Sequence, residues 1–357
     1  MSAHLFSPLQ IRDVTFRNRI AVSPMCQYSS DDGYVNDWHL VHYGSRAAGG
    51  AGHVLVEASA VQASGRISPY DLGIYRQEHV EKLLQLSSII EQHGAVAGIQ
   101  IAHAGRKASI SRPWDGDHPI LPEDGGWSPI YAPSAIPFDQ GYQTPQALTE
   151  DEIHELVNEF GLAAERALAA GFKVVEIHAA HGYLLHEFLS PITNKRTDCY
   201  GGSFENRTRM VRETVERIRA FWPEKYPLFI RFSVTDWTEG GWDVEQTIEL
   251  CRHLRPLGVD LVDCSSGALV PKAVIPVGSG FQTEFAARIR KEAEICTGAV
   301  GFITSPQQAD TIIRSGQADI TLLARELLRD PYWPLRAASA LHQEIPAPLQ
   351  YARAWIR

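Results

Sequence analysis

Short apolar runs typical of buried β-strands recur along the whole chain, separated by amphipathic helical patterns or long loops. There are eight such runs, and this alternation predicts an α/β protein. Eight β-α repeats favour a closed (β/α)₈ TIM barrel over an open, doubly wound sheet. The runs cover residues 19–23, 53–59, 96–102, 173–179, 228–234, 259–265, 298–303 and 318–324.

The open sheet is further disfavoured because no strand-like run is followed by Gly-x-Gly-x-x-Gly, the dinucleotide-binding fingerprint. The stretch GGAGHV at residues 49–54 precedes a run instead of following one. Thr149 and Glu152 form a capping-box pattern before the clearest helical stretch. We expect a single barrel domain over residues 1–343 and a C-terminal arm over residues 344–357.

Composition and charge exclude several classes of function. The net charge is −9 and the pI is about 5.9, which argues against nucleic acid or an anionic membrane as partner. The five cysteines are scattered and form no Cys-x-x-Cys, so a disulfide scaffold, a zinc ribbon and an iron–sulfur cluster are not expected. The first twenty residues lack the apolar run of a signal peptide, and we expect a cytoplasmic protein.

The barrel prediction identifies where the functional side chains should lie. Active sites of TIM barrels lie at the carboxyl ends of the strands. Polar residues at these ends come from at least six of the predicted strands, as expected for the lining of one barrel mouth. They are Cys26, Glu57, Gln100, His103, His178, His181, Arg231 and Arg325.

The stretch EIHAAHGY contains His178 and His181, three residues apart, followed by Gly182 and Tyr183. A metal site is one reading, but zinc needs further ligands and there is no His-Glu-x-x-His. Two packed histidines without a catalytic role are a second reading. In the third, two imidazole donors and a phenol polarise a carbonyl group and deliver a proton, which indicates a reaction at an activated alkene or carbonyl.

Longer motifs carry a resemblance to a known family. HAAHGYLLHEFLSPITNKRTDCYGGSFENR, SPMCQYSS, EASAV, IQIAHAGRKA and LLRDP resemble the motifs of the old yellow enzyme family, in the same order. The cysteine and tyrosine of SPMCQYSS resemble the thermophilic-like branch of that family. The resemblance covers the chain essentially from end to end. It implies non-covalently bound FMN, NADPH or NADH as reductant, and reduction of the activated C=C bond of α,β-unsaturated carbonyl or nitro compounds.

The resemblance also implies a set of flavin-binding residues. Arg231 would lie near the part of the ring that becomes anionic on reduction, and Gln100 at the pyrimidine edge. Where the family usually has Gly-Arg at the phosphate, this chain has Ala324 and Arg325, and a backbone N–H can still donate from alanine. The full set is Ser23, Pro24, Met25, Cys26, Ala60, Gln100, Arg231, Gly301, Ala324 and Arg325.

The catalytic roles follow from the same resemblance. His178 and His181 would hold the carbonyl oxygen of the substrate, and Tyr183 would be the proton donor. Tyr28 would point its hydroxyl group into the substrate pocket, and Cys26 would tune the flavin without acting as a nucleophile. A metal- or Schiff-base-dependent barrel hydrolase or aldolase, and a flavin-binding sensor without turnover, stay as alternatives.

The tail EIPAPLQYARAWIR has two prolines, so we expect it to be extended, not helical. It carries four large apolar residues, which is unusual for a free terminus, so it should dock. They are Leu349, Tyr351, Trp355 and Ile356. The branch resemblance implies a homodimer or homotetramer with shared active sites, in which Arg353 lines the substrate pocket of the neighbouring subunit.

Overall fold

The computed structural model describes residues 4–355 and contains the predicted closed barrel of eight parallel strands. The strands pair in sequence order, and the last, β12, closes the barrel by pairing with the first, β3. This confirms the (β/α)₈ prediction. The barrel strands are β3 (Ile20–Val22), β4 (His53–Ala60), β5 (Val96–Ala102), β8 (Val174–Ala179), β9 (Leu228–Ser233), β10 (Leu261–Ser265), β11 (Cys296–Ala299) and β12 (Ile320–Leu323).

The longer helices surround the barrel because each buries one apolar stripe against its neighbours. The longest, α3, begins with the predicted capping box between Thr149 and Glu152. The helices are α1 (Asp37–Ala48), α2 (His79–Gln92), α3 (Glu150–Ala169), α4 (Leu184–Leu189), α5 (Phe204–Arg207), α6 (Arg209–Phe221), α7 (Val244–Leu254), α8 (Thr283–Glu292), α9 (Pro306–Arg314), α10 (Arg325–Arg329), α11 (Trp333–Ala340) and α12 (Ala352–Trp355). None in the described part of the chain is long and apolar enough to span a membrane.

An N-terminal hairpin, β1 (Leu9–Ile11) and β2 (Val14–Phe16), belongs to the apolar cluster inside the barrel. Its Phe16 ring lies 5.3 Å from the His53 ring and 6.2 Å from the Phe229 ring, centroid to centroid. Strands β6 (Tyr131–Ala132) and β7 (Gln146–Ala147) form a second small sheet in the insertion after β5. Apolar residues pack around Phe16 at the amino-terminal end of the barrel strands. The polar residues predicted for the site lie toward the carboxyl end.

Two local predictions need correction. The seventh barrel strand ends at Ala299, not at Ile303, because Gly301 has φ +117 and turns the chain away from the strand direction. In the tail, residues 343–348 are irregular as expected, but Leu349–Tyr351 forms a 3₁₀ turn and α12 follows it. The extended prediction is wrong there because Pro348 precedes the helical turns, and a proline before a helix does not disturb it. Ile356 lies outside the described residues.

Candidate active site

The histidine pair and Tyr183 form one compact aromatic cluster at the carboxyl end of β8. The His178 ring centroid lies 5.1 Å from that of His181 and 4.9 Å from that of Tyr183. Both contacts are edge-on, with interplanar angles of 83° and 88°. The structure therefore brings these three side chains together, as their spacing in the sequence predicted.

The hydrogen-bond partners of His178 determine which ring nitrogen carries the proton. The backbone N–H of Ala180 donates to His178 Nδ1 at 3.2 Å. Burial, and next the charge of Arg231, holds the pKa of His178 well below its usual range, so the ring is neutral. Because Nδ1 accepts, the proton of the neutral ring sits on Nε2, where it can be donated to a ligand.

His181 is oriented from the next strands of the barrel. Its Nε2 lies 2.7 Å from the hydroxyl oxygen of Ser265, at the end of β10. Burial and the charge of Arg231 lower the pKa of His181 as well, so this ring is also neutral. When the Ser265 hydroxyl donates to Nε2, Nδ1 carries the proton and becomes the second donor of the pair.

Tyr183 lines a small hollow together with Ala60, Ala102 and Ala104. Burial raises the pKa of the Tyr183 phenol well above its usual range, so the hydroxyl keeps its proton. A protonated phenol beside two neutral imidazole donors is a set of three proton-bearing groups in one place. The small side chain of Ala60 keeps the hollow open beside this set.

The segment after β3 carries the predicted residues Ser23 to Tyr28. Burial raises the pKa of the Cys26 thiol, so the sulfur is protonated and is not a thiolate nucleophile. Tyr28 has φ +49, and its ring contacts that of Trp114 edge-on, with centroids 5.9 Å apart. Trp114 belongs to the long insertion after β5, so this insertion contacts Tyr28.

Glu57 holds this segment in place, a role that the sequence did not reveal. Its carboxyl group accepts from the backbone N–H of Gln27 at 2.6 Å and from the Tyr43 hydroxyl at 3.2 Å. Burial raises the pKa of Glu57 to about 8. Another mouth residue, His103, also serves structure, since its Nδ1 accepts from the N–H of Gly105 at 3.1 Å.

Below the histidines lies a layer of buried polar and charged side chains. Two of them, Glu176 and Asp263, were not predicted from the sequence. Gln100 donates to Glu176 at 2.8 Å, and Arg231 Nε lies 3.2 Å from Asp263 Oδ2, an ion pair without hydrogen-bond geometry. Burial is the main cause that raises the pKa of Glu176, and it raises that of Asp263 to about 6. Strand alternation could have found Glu176, which lies two residues before His178 and so shares its face.

These residues suit the pyrimidine edge of a flavin. Because Glu176 occupies an amide N–H of Gln100, the carbonyl oxygen of Gln100 is left as an acceptor for a ring N–H. The Ser23 hydroxyl is buried and has no hydrogen-bond partner within residues 4–355. Arg231 supplies a buried positive charge near the carboxyl groups of Glu176 and Asp263. A polar, planar ring with donors and acceptors fits this set.

A cleft of about 310 Å³ lies at the carboxyl ends of β11 and β12, and Gly301, Ala324 and Arg325 line it. A Cβ atom at Gly301 would lie 2.8 Å from the Gln282 amide nitrogen, so only glycine fits there without a shift. Helix α10 begins at Arg325, and the first N–H groups of a helix lack intrahelical partners. The cleft can therefore bind a phosphate group through backbone donors.

Arg353 is exposed on α12, and the hollow at Tyr183 and the cleft at Gly301 are lined by other residues. The tail packs on its own chain through Tyr351, whose ring lies 5.8 Å from that of Tyr332. In residues 4–355, no group of three or more His, Cys, Asp or Glu side chains is placed to hold a metal ion.

The fold and the chemistry of the barrel mouth define the class of a flavin-dependent oxidoreductase. Residues 4–344 match the NADH:flavin oxidoreductase / NADH oxidase family. The chain belongs to this family, which includes old yellow enzyme, and it is an FMN-dependent oxidoreductase. The hydrolase and aldolase alternatives are therefore wrong.

Full-length relatives are named NADPH dehydrogenase. That of Halalkalibacterium halodurans is 51% identical over 100% of both chains, and that of Bacillus subtilis is 48% identical over 99% of this chain and 100% of the relative. Among solved structures, the old yellow enzyme homologue from Zymomonas mobilis has a TM-score of 0.78 at 27% identity, over 99% of this chain and 96% of that one. Morphinone reductase in complex with tetrahydroNAD has a TM-score of 0.78 at 26% identity, over 97% and 93%.

Proposed function

We propose that the protein is an ene-reductase, which uses NADPH to reduce the activated C=C bond of α,β-unsaturated carbonyl compounds, and of nitroalkenes by the same chemistry. The observation that carries this proposal is the cluster of three proton-bearing groups in which the His178 ring contacts both the His181 ring and the Tyr183 ring. Such a set can polarise a carbonyl group and protonate the adjacent carbon.

The histidines bind the substrate oxygen. Both rings are neutral, so each contributes one N–H donor and no net charge. Two donors on one carbonyl oxygen stabilise the negative charge that develops there when the β-carbon accepts hydride. Arg231 adds positive potential below them, since its charge is one cause of the lowered pKa of both rings.

Tyr183 delivers the proton to the α-carbon. Its pKa lies far above neutrality, so the proton leaves only toward a strongly basic carbon such as that of an enolate. Tyr28 and Cys26 would border the same space as Tyr183, since Cys26 and Tyr183 are among the groups that raise the pKa of Tyr28, and Cys26 is among those that raise the pKa of Tyr183. Tyr28 would contact the substrate, and Cys26 would tune the flavin.

FMN would be held by two groups of residues. Ser23, Pro24, Met25, Cys26, Ala60, Gln100 and Arg231 would surround the ring, and Gly301, Ala324 and Arg325 the phosphate. Bound FMN would supply hydride transfer from NADPH to the β-carbon of the alkene. The names of the full-length relatives support NADPH as reductant, and the missing Gly-x-Gly-x-x-Gly supports binding of nicotinamide and enone at the same place.

The assembly is part of the proposal. Residues 344–357 would form an arm that contacts a neighbouring subunit of a homodimer or homotetramer, with Arg353 lining the partner's pocket. The support is the exposure of large apolar side chains, 89% at Leu349 and 46% at Tyr351. The five free cysteines support a reducing, cytoplasmic compartment.

Anaerobic half-reactions test the function directly. The purified protein should be yellow, NADPH should bleach its flavin absorbance, and cyclohexenone should restore it. Steady-state rates should follow ping-pong kinetics, since both reactants use one site. A protein that is bleached by NADPH but never reoxidised by enones or nitroalkenes would instead support the sensor alternative.

A further inference from the structure

Two residues beside the active site hold a backbone conformation that side chains disfavour. His181, after β8, has φ +60, and Ala268, after β10, has φ +65. The left-handed region costs free energy for any residue with a Cβ atom, so the surroundings must hold such residues in place. One of the two carries a ring of the proposed carbonyl site.

Lys107 connects both residues. Its ammonium nitrogen donates to the carbonyl oxygen of His181 at 2.8 Å and to that of Ala268 at 2.5 Å. Lys107 itself lies in the 3₁₀ turn Gly105–Lys107 after β5. One side chain therefore joins the loops that follow three different barrel strands, and hydrogen bonds from a charged donor are stronger than neutral ones.

The other side of His181 is fixed as well. Its backbone N–H donates to the Ser233 hydroxyl oxygen at 2.9 Å, and that hydroxyl donates to the carbonyl oxygen of Gly267 at 2.8 Å. Gly182 follows with φ +72, and a Cβ there would collide with the Ala268 carbonyl oxygen. Both peptide groups of His181 are thus anchored, one by Ser233 and one by Lys107.

We propose that Lys107 is a positioning residue for the carbonyl site, whose ammonium group holds His181 and Ala268 in their left-handed conformations and so fixes the His181 ring against Ser265 and His178. The proposal rests on the proposed function, because it assigns Lys107 to the same site. In this role Lys107 acts through the backbone of His181 and Ala268 and does not contact the substrate.

The surroundings of the ammonium group make its charge sensitive to pH. Burial, and next the neighbouring Arg106, lowers the pKa of Lys107 to about 7, while Glu187 and Asp117 act against this. The nitrogen lies 4.2 Å from the Phe138 ring centroid and 5.7 Å from that of Tyr183. Its charge is also one cause of the lowered pKa of His178 and of His181. The Lys107 ammonium group is charged below this pKa, and its hydrogen bonds to His181 and Ala268 weaken as pH rises through it.

Replacement of Lys107 by methionine tests the proposal in the FMN-loaded protein. Lys107→Met keeps the apolar stem and removes the donors. Phenol affinity, read from the charge-transfer absorbance, should fall about 10-fold or more, the scale of a lost charged hydrogen bond. Amide hydrogen exchange should accelerate in residues 180–184 and 266–269, while FMN content stays unchanged. Lys195→Met is the matched control, because Lys195 also donates to a carbonyl oxygen, at the surface.

A second substitution distinguishes a backbone clamp from a ligand contact. Glycine adopts φ +65 without cost, so Ala268→Gly should restore part of what Lys107→Met loses. We expect the double variant to regain about 3-fold or more in phenol affinity and to slow the exchange of both segments. Phenol affinity within 2-fold of wild type in Lys107→Met, or no recovery in the double variant, would overturn the proposal.

The unmodified protein provides an independent route if Lys107→Met does not fold. Phenol affinity, corrected for ionisation of the phenol, should fall as pH rises from about 6 to about 9, through the pKa of Lys107. A flat profile would count against the clamp. If enones fail to reoxidise the wild-type protein, the proposed function fails, whereas hydrogen exchange still decides the role of Lys107.

Discussion

The two sides of the barrel mouth would bind their proposed ligands by different means. On the proposed reaction side, the His178 ring contacts those of His181 and Tyr183, and hydrogen bonds fix both histidine rings. On the phosphate side, Gly301 and the start of α10 offer backbone donors around an open cleft, and Phe302 beside it is 40% exposed. The histidine side is buried and held by several contacts, whereas the cleft at Gly301 is open.

This contrast predicts where substitution is tolerated. A side chain that must donate from one ring nitrogen needs neighbours that fix its position and protonation state, as Ala180 and Ser265 do for the histidines. A backbone N–H needs only the path of the chain. At the proposed phosphate site, Ala324 would therefore serve as well as glycine, whereas a Cβ atom at Gly301 would lie 2.8 Å from the Gln282 amide nitrogen.

The largest effect is expected at Tyr183. Tyr183→Phe removes the proton donor and keeps the ring contact with His178, so reoxidation by an enone should slow about 100-fold or more. Reduction by NADPH should be nearly unchanged, because only the second half-reaction needs this proton. Stopped-flow absorbance measures both. Equal losses in the two half-reactions would assign Tyr183 a structural role and weaken the contrast between the two sides.

The histidines come next. His178→Ala and His181→Ala should each weaken phenol binding by about 1–3 kcal/mol, the scale of a lost hydrogen bond to a charged group. Titration of the long-wavelength charge-transfer band gives the affinities. His253→Ala, at an exposed histidine of α7, is the control. Titration curves that match wild type in both variants would refute the carbonyl site.

The phosphate side can be tested with a matched pair. Gly301→Ala should weaken FMN binding by about 1–3 kcal/mol, since the Cβ presses on Gln282 and φ +117 is unfavourable for alanine. Ala324→Gly should leave FMN affinity within a few-fold of wild type, because the backbone donor is the same. Fluorescence titration of the FMN-free protein measures both. Equal losses of FMN affinity in the two variants would contradict the proposed difference between Gly301 and Ala324.

Glu57 predicts a dependence of stability on pH. Burial raises its folded pKa to about 8, so its stabilising contribution is full below its unfolded pKa and is lost as pH rises through about 8. Glu57→Gln, which does not ionise, should therefore gain on wild type from about pH 5 to about pH 8, by at most ~1.4 kcal/mol for each pH unit. Thermal melts show this; Glu224→Gln, at a 97% exposed side chain, is the control. Parallel melting curves would contradict it.

The smallest effect is expected in the tail. Deletion of the residues after Pro348 should weaken subunit association and raise the enone KM a few-fold, while FMN stays bound. Arg353→Ala should reproduce the kinetic part without the change in association. Sedimentation and steady-state rates measure the two effects. Unchanged values for the truncated protein would show that the tail only packs on Tyr332 of its own chain.

Local patterns in the sequence predict the barrel and the end of the barrel at which the proposed active site lies. Eight apolar runs gave eight strands, because strand formation here depends on local apolar content and alternation. His178, His181 and Tyr183 were found together since they are neighbours in sequence. The boundary at Ala299 and the turns after Pro348 were missed, because a glycine with positive φ and a short helical turn leave little periodic signal.

The contacts that hold the site, and the protonation states of its residues, depend on the folded barrel. Lys107 meets His181 and Ala268, Glu57 meets Gln27, and Asp263 meets Arg231 across sequence separations that no local pattern encodes. The neutral state of both histidines likewise depends on burial and on the charge of Arg231. Burial and pairing are properties of the closed barrel, which brings distant strand ends to one place and excludes water from the groups between them.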